Sequence, residues 1–227
     1  MNYILNFDTT TEKAIINLSN GADVLTTSIN TDPRQHATFL HSSIHKILRQ
    51  NDIQPSELKA IGVTGGPGSY TGIRVGLAAA KGLCFALKIP MILFNTLELM
   101  AFCAIEKTGH QNALYSPLID ARRMEVFAAV YQKDLNIIME PQAMVLEENS
   151  FEELRKNSPV FFFGSGAEKF KKIINNPVSN DHFTDSETTS EGLAKFSWNK
   201  FRNNDFENAA NATALYVKEF YSTAKIS

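Results

Sequence analysis

Cysteine is scarce in this chain. Cys84 and Cys103 are the only two, each in an apolar segment, so neither a disulfide framework nor a cysteine-based metal centre is expected and a reducing, cytoplasmic setting fits. An excess of one charge is also missing. Lys and Arg number 22 against 24 Asp and Glu, which argues against a chain that holds nucleic acid or anionic lipid alone by bulk electrostatics. No apolar run suits a membrane span. The most hydrophobic stretch, residues 77–105, is broken by Lys81, Lys88, Pro90, Asn95 and Glu98, and Asp8 interrupts what would have to be a longer apolar run in a signal peptide. The glycine-rich segment at 65–72 lacks the Gly-Lys-Ser/Thr of a P-loop, and lacks the third glycine and distal acid of the dinucleotide fingerprint. No Ser-His-Asp set, activated cysteine or isolated carboxylate pair stands out. His41 and His45 lie on adjacent helical turns at a zinc-compatible spacing. Ser42 stands where a zinc protease helix carries glutamate, so the pair reads as solvated helix surface, and no metal is expected.

What is present begins with glycine. A strand over residues 60–64 runs into a loop with Gly65, Gly66 and Gly68, which opens onto a helix over 70–87 that still carries Gly72, Gly76 and Gly82. Each helical glycine costs up to ~1 kcal/mol against alanine, so three in one helix ask for a reason. Gly72, Gly76 and Ala80 are four apart and share a face. Such a stripe admits another backbone at close range, either from within the chain or from a second subunit. The helix over 36–50 repeats Phe39, Leu40, Ile44, Ile47 and Leu48 at helical spacing, a face suited to burial or to docking a partner.

The chain also repeats itself weakly. An apolar strand ends in Asp8 and, after a polar turn, a second follows at 13–18; residues 118–119 lead to Asp120, a polar turn and a strand at 125–131. Placing Asp8 on Asp120 aligns the two units without a gap. Third strands follow at 24–29 and 136–145, and helices then alternate with strands. This pattern predicts an α/β protein with two mixed sheets flanked by helices, divided into residues 1–105 and a smaller 106–227. Residues 175–190 read as loop, with a cap at 188–190 for a helix over 191–202, and the closing segment 209–221 reads as a helix.

The run Gly66-Pro-Gly-Ser-Tyr-Thr-Gly-Ile-Arg74, followed by Gly76-Leu-Ala and Lys81-Gly-Leu, resembles the signature of the TsaB (YeaZ) family. Asp8-Thr-Thr-Thr, Asp120-Ala-Arg-Arg-Met-Glu-Val-Phe127 and, loosely, Leu215-Tyr-Val-Lys218 extend the resemblance over nearly the whole chain. It implies two tandem ribonuclease H-like halves of actin, sugar-kinase and Hsp70 type, with the closing helix returning to pack on the first half. It implies a non-catalytic, cofactor-free subunit of the bacterial machinery for tRNA N6-threonylcarbamoyladenosine, binding and activating a TsaD-like catalytic paralogue. A TsaE-like ATPase would join the pair, tRNA would be met through the complex, and a homodimer could form without the partner. The expected partner interface comprises Leu40, Ile44, Gly72, Ile73, Gly76 and Ala80. A vestigial nucleotide or anion loop would comprise Asp8, Thr9, Thr10, Gly66, Gly68 and Ser69, with Gly164-Ser-Gly166 as a second cradle. The paralogue's two metal histidines would fall on Thr96 and Met100, which make a poor ligand pair for an iron-type centre. The competing reading is an ATP-dependent kinase, or a metallopeptidase-like hydrolase, of the same superfamily.

Overall fold

In the computed structural model, which describes residues 1–174 and 177–217, three antiparallel strands open each half of the chain. The first half runs β1 (Tyr3–Asp8), β2 (Ala14–Asn20), β3 (Asp23–Asn30), α1 (His36–Gln50), β4 (Leu58–Thr64), α2 (Tyr70–Leu87), β5 (Met91–Phe94) and α3 (Thr96–Thr108). The second repeats that order with β6 (Leu114–Asp120), β7 (Glu125–Tyr131), β8 (Ile137–Val145), α4 (Glu152–Asn157), β9 (Val160–Phe163), α5 (Ala167–Ile173), β10 (Asp181–Phe183) and α6 (Ser190–Arg202). The sheets have matching strand orders, β3-β2-β1-β4-β5 and β8-β7-β6-β9-β10. The gapless alignment of the halves needs one correction. Asp8 pairs with Ile15 while Asp120 pairs with Val126, so the second turn is one residue shorter.

β1 is central and buried on both faces. Leu5 and Phe7 join Ile16 and Leu18 beneath Leu40, Ile44, Ile47 and Leu48 of α1 and Leu77, Ala80 and Cys84 of α2. The other face of the sheet, with Ile4, Ile15, Ala60, Ile92 and Phe94, lies under Leu99 and Cys103 of α3 and Leu193 and Phe196 of α6. α3 also sends Leu97, Met100, Ala101 and Ala104 onto Tyr115, Ile119, Phe161 and Phe163 of the second sheet. Its apolar side chains run almost all round the helix because it is packed from two sides. α3 therefore forms the seam between the two sheets, with α6 packed beside it on the first. Asn95 caps α3 by accepting from Leu97 N and Glu98 N, and Thr189 caps α6 by accepting from Gly192 N.

Two elements differ from the sequence expectation. Residues 175–190 contain β10, a three-residue strand parallel to β9 and too short to show a hydrophobic period. The closing segment is not helical up to Val217; residues 218–221 of that predicted helix lie outside the described residues. The segment does return to the first half, as an extended run along its sheet. Glu207 N donates to Met91 O at 2.8 Å, Ala212 enters the first core and Leu215 N donates to Gly65 O at 2.7 Å.

β10 is tied to α4 by a buried fork. Arg155 Nε and Nη2 donate to Asp181 Oδ1 and Oδ2 at 2.8 and 2.7 Å, with both side chains at most 5% exposed. Burial pushes the Asp181 carboxyl up, but the guanidinium and the Val178 amide outweigh it and hold the carboxyl below its ordinary range. A depressed pKa stabilises the fold above the unfolded-state value and loses that contribution as pH falls through the folded-state value. Asp181→Asn, which removes the carboxylate that the buried Arg155 fork grips, is expected to cost about 3–5 kcal/mol at pH 7. Its deficit against the unaltered chain should shrink between pH 5 and pH 2, as read by urea denaturation.

Candidate functional site

β1 delivers Asp8 to the end of the first sheet, where the carboxyl is fully buried. Oδ1 accepts from Thr10 N at 2.9 Å, Thr10 Oγ1 at 2.6 Å and Thr64 Oγ1 at 2.7 Å. The Thr96 hydroxyl, at the start of α3, donates to that of Thr10 at 3.2 Å. The β1–β2 turn is thereby folded back onto the glycine loop. Thr9 Oγ1 donates to Gly72 O at 2.7 Å, and Ser69 N donates to Thr10 O at 2.6 Å.

Two of the three helical glycines, Gly72 and Gly76, together with Gly68 of the loop, make room for this contact. A Cβ at Gly72 would collide with the Thr9 carbonyl, one at Gly68 with the Thr10 carbonyl, and one at Gly76 would stand 2.6 Å from Thr9 Oγ1. Gly66 is closed from the other side by Leu215 O, 2.9 Å from where its Cβ would be. The close neighbour foreseen in the sequence is the chain's own first turn.

The residues expected at the partner interface lie as follows. Leu40, Ile44, Ile73 and Ala80 are buried in the chain's interior, as are Gly72 and Gly76, because the stripe faces the first turn and the sheet. The outward face of α2 carries Thr71, Arg74, Ala78, Gly82 and Phe85. Phe85 is 87% exposed, and a Cβ at Gly82 would meet nothing within 4 Å. Ala78 and Gly82 repeat the small-residue spacing on the opposite face of the helix, so spacing alone could not choose between the stripes. His41 and His45 are exposed on α1. Arg74 lies over the Tyr70 ring at 3.9 Å and donates through Nε to the Tyr216 hydroxyl at 3.1 Å, joining the closing segment to this face.

The expected anion loop fares differently. Asp8, Thr9, Thr10, Gly66, Gly68 and Ser69 do come together, but Asp8 Oδ1, the Thr9 and Thr10 hydroxyls and the Ser69 amide are committed within the chain. Ser69 Oγ accepts from Gly72 N at 3.2 Å, the Ser69 amide is held by Thr10, and the carbonyls of the first turn fill the space a phosphate would need. With those groups engaged, the loop does not fit a nucleotide phosphate or a metal. Asp8 Oδ2 is buried without a partner, but the hydroxyls near it already serve Oδ1. Among the described residues no group of three metal-ligating side chains occurs. Met100 packs across the seam, its Cε 2.6 Å from where a Cβ on Gly164 would stand.

The second turn is closed as well. Asp120 Oδ1 accepts from Arg122 N and from Lys169 Nζ, both at 2.6 Å, and Lys169 Nζ also donates to Arg123 O at 2.6 Å. Ser165 Oγ accepts from Asp120 N at 3.0 Å and Gly166 N donates to Leu118 O at 2.8 Å. Partial burial raises the Asp120 carboxyl, while Lys169 and the Arg122 amide bring it below its ordinary value.

Two sheets of one strand order, each with its β-hairpin turn beside a glycine-containing strand-to-helix loop, define the class that includes actin, the sugar kinases and Hsp70. An inorganic polyphosphate/ATP-glucomannokinase from Arthrobacter superposes with a TM-score of 0.51 at 10% identity, over 88% of this chain and 99% of that one. A Pseudomonas aeruginosa protein described as similar to peptidase YeaZ superposes with a TM-score of 0.83 at 24% identity, over 96% of this chain and all of that one. The TsaD family model, tRNA N6-adenosine threonylcarbamoyltransferase, matches residues 24–189. The Bacillus subtilis tRNA threonylcarbamoyladenosine biosynthesis protein TsaB is 31% identical over 79% of this chain and 78% of its own length. The chain belongs to the TsaB family of tRNA threonylcarbamoyladenosine biosynthesis proteins, within the wider TsaD family. No helix among the described residues is long and apolar enough to cross a membrane.

The two kinds of glycine in α2 predict opposite signs. Gly82→Ala, in open space, should stabilise by about 0.5–1 kcal/mol through helix propensity. Gly72→Ala, driven into the Thr9 carbonyl, should destabilise by about 1–3 kcal/mol through overpacking. Chemical denaturation of the two variants reads both. Equal signs would mean that the first turn does not rest on the stripe.

Proposed function

We propose that this protein is a non-catalytic subunit of a bacterial t6A-synthesis complex, binding and activating a TsaD-like catalytic paralogue in the cytoplasm. The observation that carries this reading is the closure of both turns. The groups that would handle phosphate or metal hydrogen-bond within the chain, and Thr96 and Met100 stand where metal histidines would be needed. Partner binding is assigned to the outward faces of α1 and α2, centred on Phe85 among Ala78, Gly82 and Arg74. An exposed aromatic among small residues suits an anchor in a partner's pocket. A TsaE-like ATPase joins this pair, tRNA is reached through the complex, and the same face serves a homodimer when the paralogue is absent.

Capture of the paralogue from its native cell by the tagged chain tests the assignment. Phe85→Asp should weaken the purified pair by about 2 kcal/mol, roughly thirty-fold in Kd, without lowering the Tm of the isolated chain. Undiminished affinity would place the contact elsewhere. Calorimetry with Mg-ATP tests the competing reading: micromolar binding with turnover by the chain alone would establish an ATP-dependent kinase or hydrolase in place of this one.

A further inference from the structure

The hairpin that follows Asp120 is built in an unfavourable way for its residues. Arg122 and Arg123 hold φ of 72° and 50°, consecutive left-handed conformations that glycine and asparagine adopt far more readily. The hairpin is nonetheless held firmly. Ala121 N donates to Glu125 O and Glu125 N to Arg122 O, both at 3.1 Å, and the Arg122 amide and the Arg123 carbonyl are gripped by Asp120 and Lys169. The bracing falls on the backbone alone. Lys169 is neutralised by Asp120, whereas among the described residues no hydrogen bond, ion pair or ring contact engages either guanidinium. Both arginines are exposed.

Two adjacent, unpaired guanidiniums on a braced tip are a local exception in a chain whose net charge is −2. That balance gives little long-range attraction for a polyanion, so anything recognised here must be met at short range by the forks themselves. Guanidinium matches phosphate geometry with paired N–H donors. Two adjacent forks match successive phosphates of a nucleic-acid backbone better than one isolated anion.

We infer that the Arg122–Arg123 hairpin is an RNA-backbone contact, a phosphodiester clamp that this subunit adds to the tRNA surface of the complex. The inference rests on the proposed function and deepens it by naming the residues of this chain that touch the RNA. Contact with phosphates fixes position and carries no base sequence. Each neutralised phosphate contributes about −0.7 to −0.9 to the slope of log K against log salt.

The experiment is fluorescence anisotropy with a tRNA transcript across a salt series, on the chain together with its captured paralogue and on the chain alone at low salt. Arg122→Gln with Arg123→Gln should weaken binding roughly tenfold and flatten the slope by about 1.4–1.8 for two lost phosphates, equally for transcripts of different sequence. Arg122→Lys with Arg123→Lys should keep the slope. Arg122→Asn with Arg123→Gly relieves the backbone, so it should raise Tm while losing RNA as the glutamine pair does, which separates a binding role from a folding one. An unchanged slope in the glutamine variant overturns the inference, as does the absence of RNA binding by either preparation. Failure of the unaltered chain to capture a paralogue sinks the proposed function instead, and it is read before any RNA is added.

Discussion

The first turn of the chain rests its carbonyls directly on a helix, and most of the first half depends on that contact. Thr9 O and Thr10 O lie where side chains at Gly72 and Gly68 would stand, and the Thr9 hydroxyl is bonded to Gly72 O. Such proximity requires a helix with no side chains along one line, and α2 accepts the propensity cost of glycine to provide it. The turn then fixes Asp8, Asp8 fixes Thr10 and Thr64, and Thr10 accepts from Thr96 at the head of α3. A single line of glycines thus ties β1, β4, α2 and the seam helix together.

The seam follows from the same geometry. α3 begins beside Thr10 and continues between the two sheets, giving Leu99 and Cys103 to one core and Leu97, Met100 and Ala101 to the other. α6 comes from the second half of the sequence and covers the first sheet. Polar groups specify how it sits there. Asn17 Nδ2 donates to Ser190 O at 2.8 Å, and Gly192 approaches Cys103 with no room for a Cβ. Moving either sheet relative to α3 would open voids beside Met100 and Leu99, and unfilled volume in a packed interior is destabilising.

The strand-Asp-strand repeat was legible in the sequence because both hairpins are apolar strands ending in an acid, and strand alternation survives on the half-exposed outer strands. The need for a close neighbour at Gly72 and Gly76 was legible too, since three glycines in a helix demand a cause. The identity of that neighbour was not. Ala78 and Gly82 offer a second stripe at the same spacing, and nothing about Thr9 marks it as the residue that fills the first. β10 was read as loop for a related reason. Its Asp181 looks like a surface charge until Arg155, distant in sequence, is brought against it. Charge pairing across a fold leaves no periodic trace along the chain, whereas burial of one face does.

Both turns are closed by hydrogen bonds within the chain. A phosphate-handling turn must leave amides and hydroxyls unmatched until its ligand arrives, and it needs halves that can part to admit that ligand. Here Ser69 N, Thr9 Oγ1, Thr10 Oγ1 and the Arg122 amide all have partners within the chain, and α3 is packed into both sheets. Beside the buried Asp8 Oδ2, exposed groups without a partner among the described residues lie on outer surfaces, on Phe85 of α2 and on the guanidiniums of Arg122 and Arg123. A scaffold already locked in one arrangement has little left to order on association, so more of the contact energy appears as affinity. Surrendering the cleft and presenting a fixed surface are then two consequences of one set of hydrogen bonds. A variant that reopened the first turn would loosen α2 at the same time, because Gly72 belongs to both.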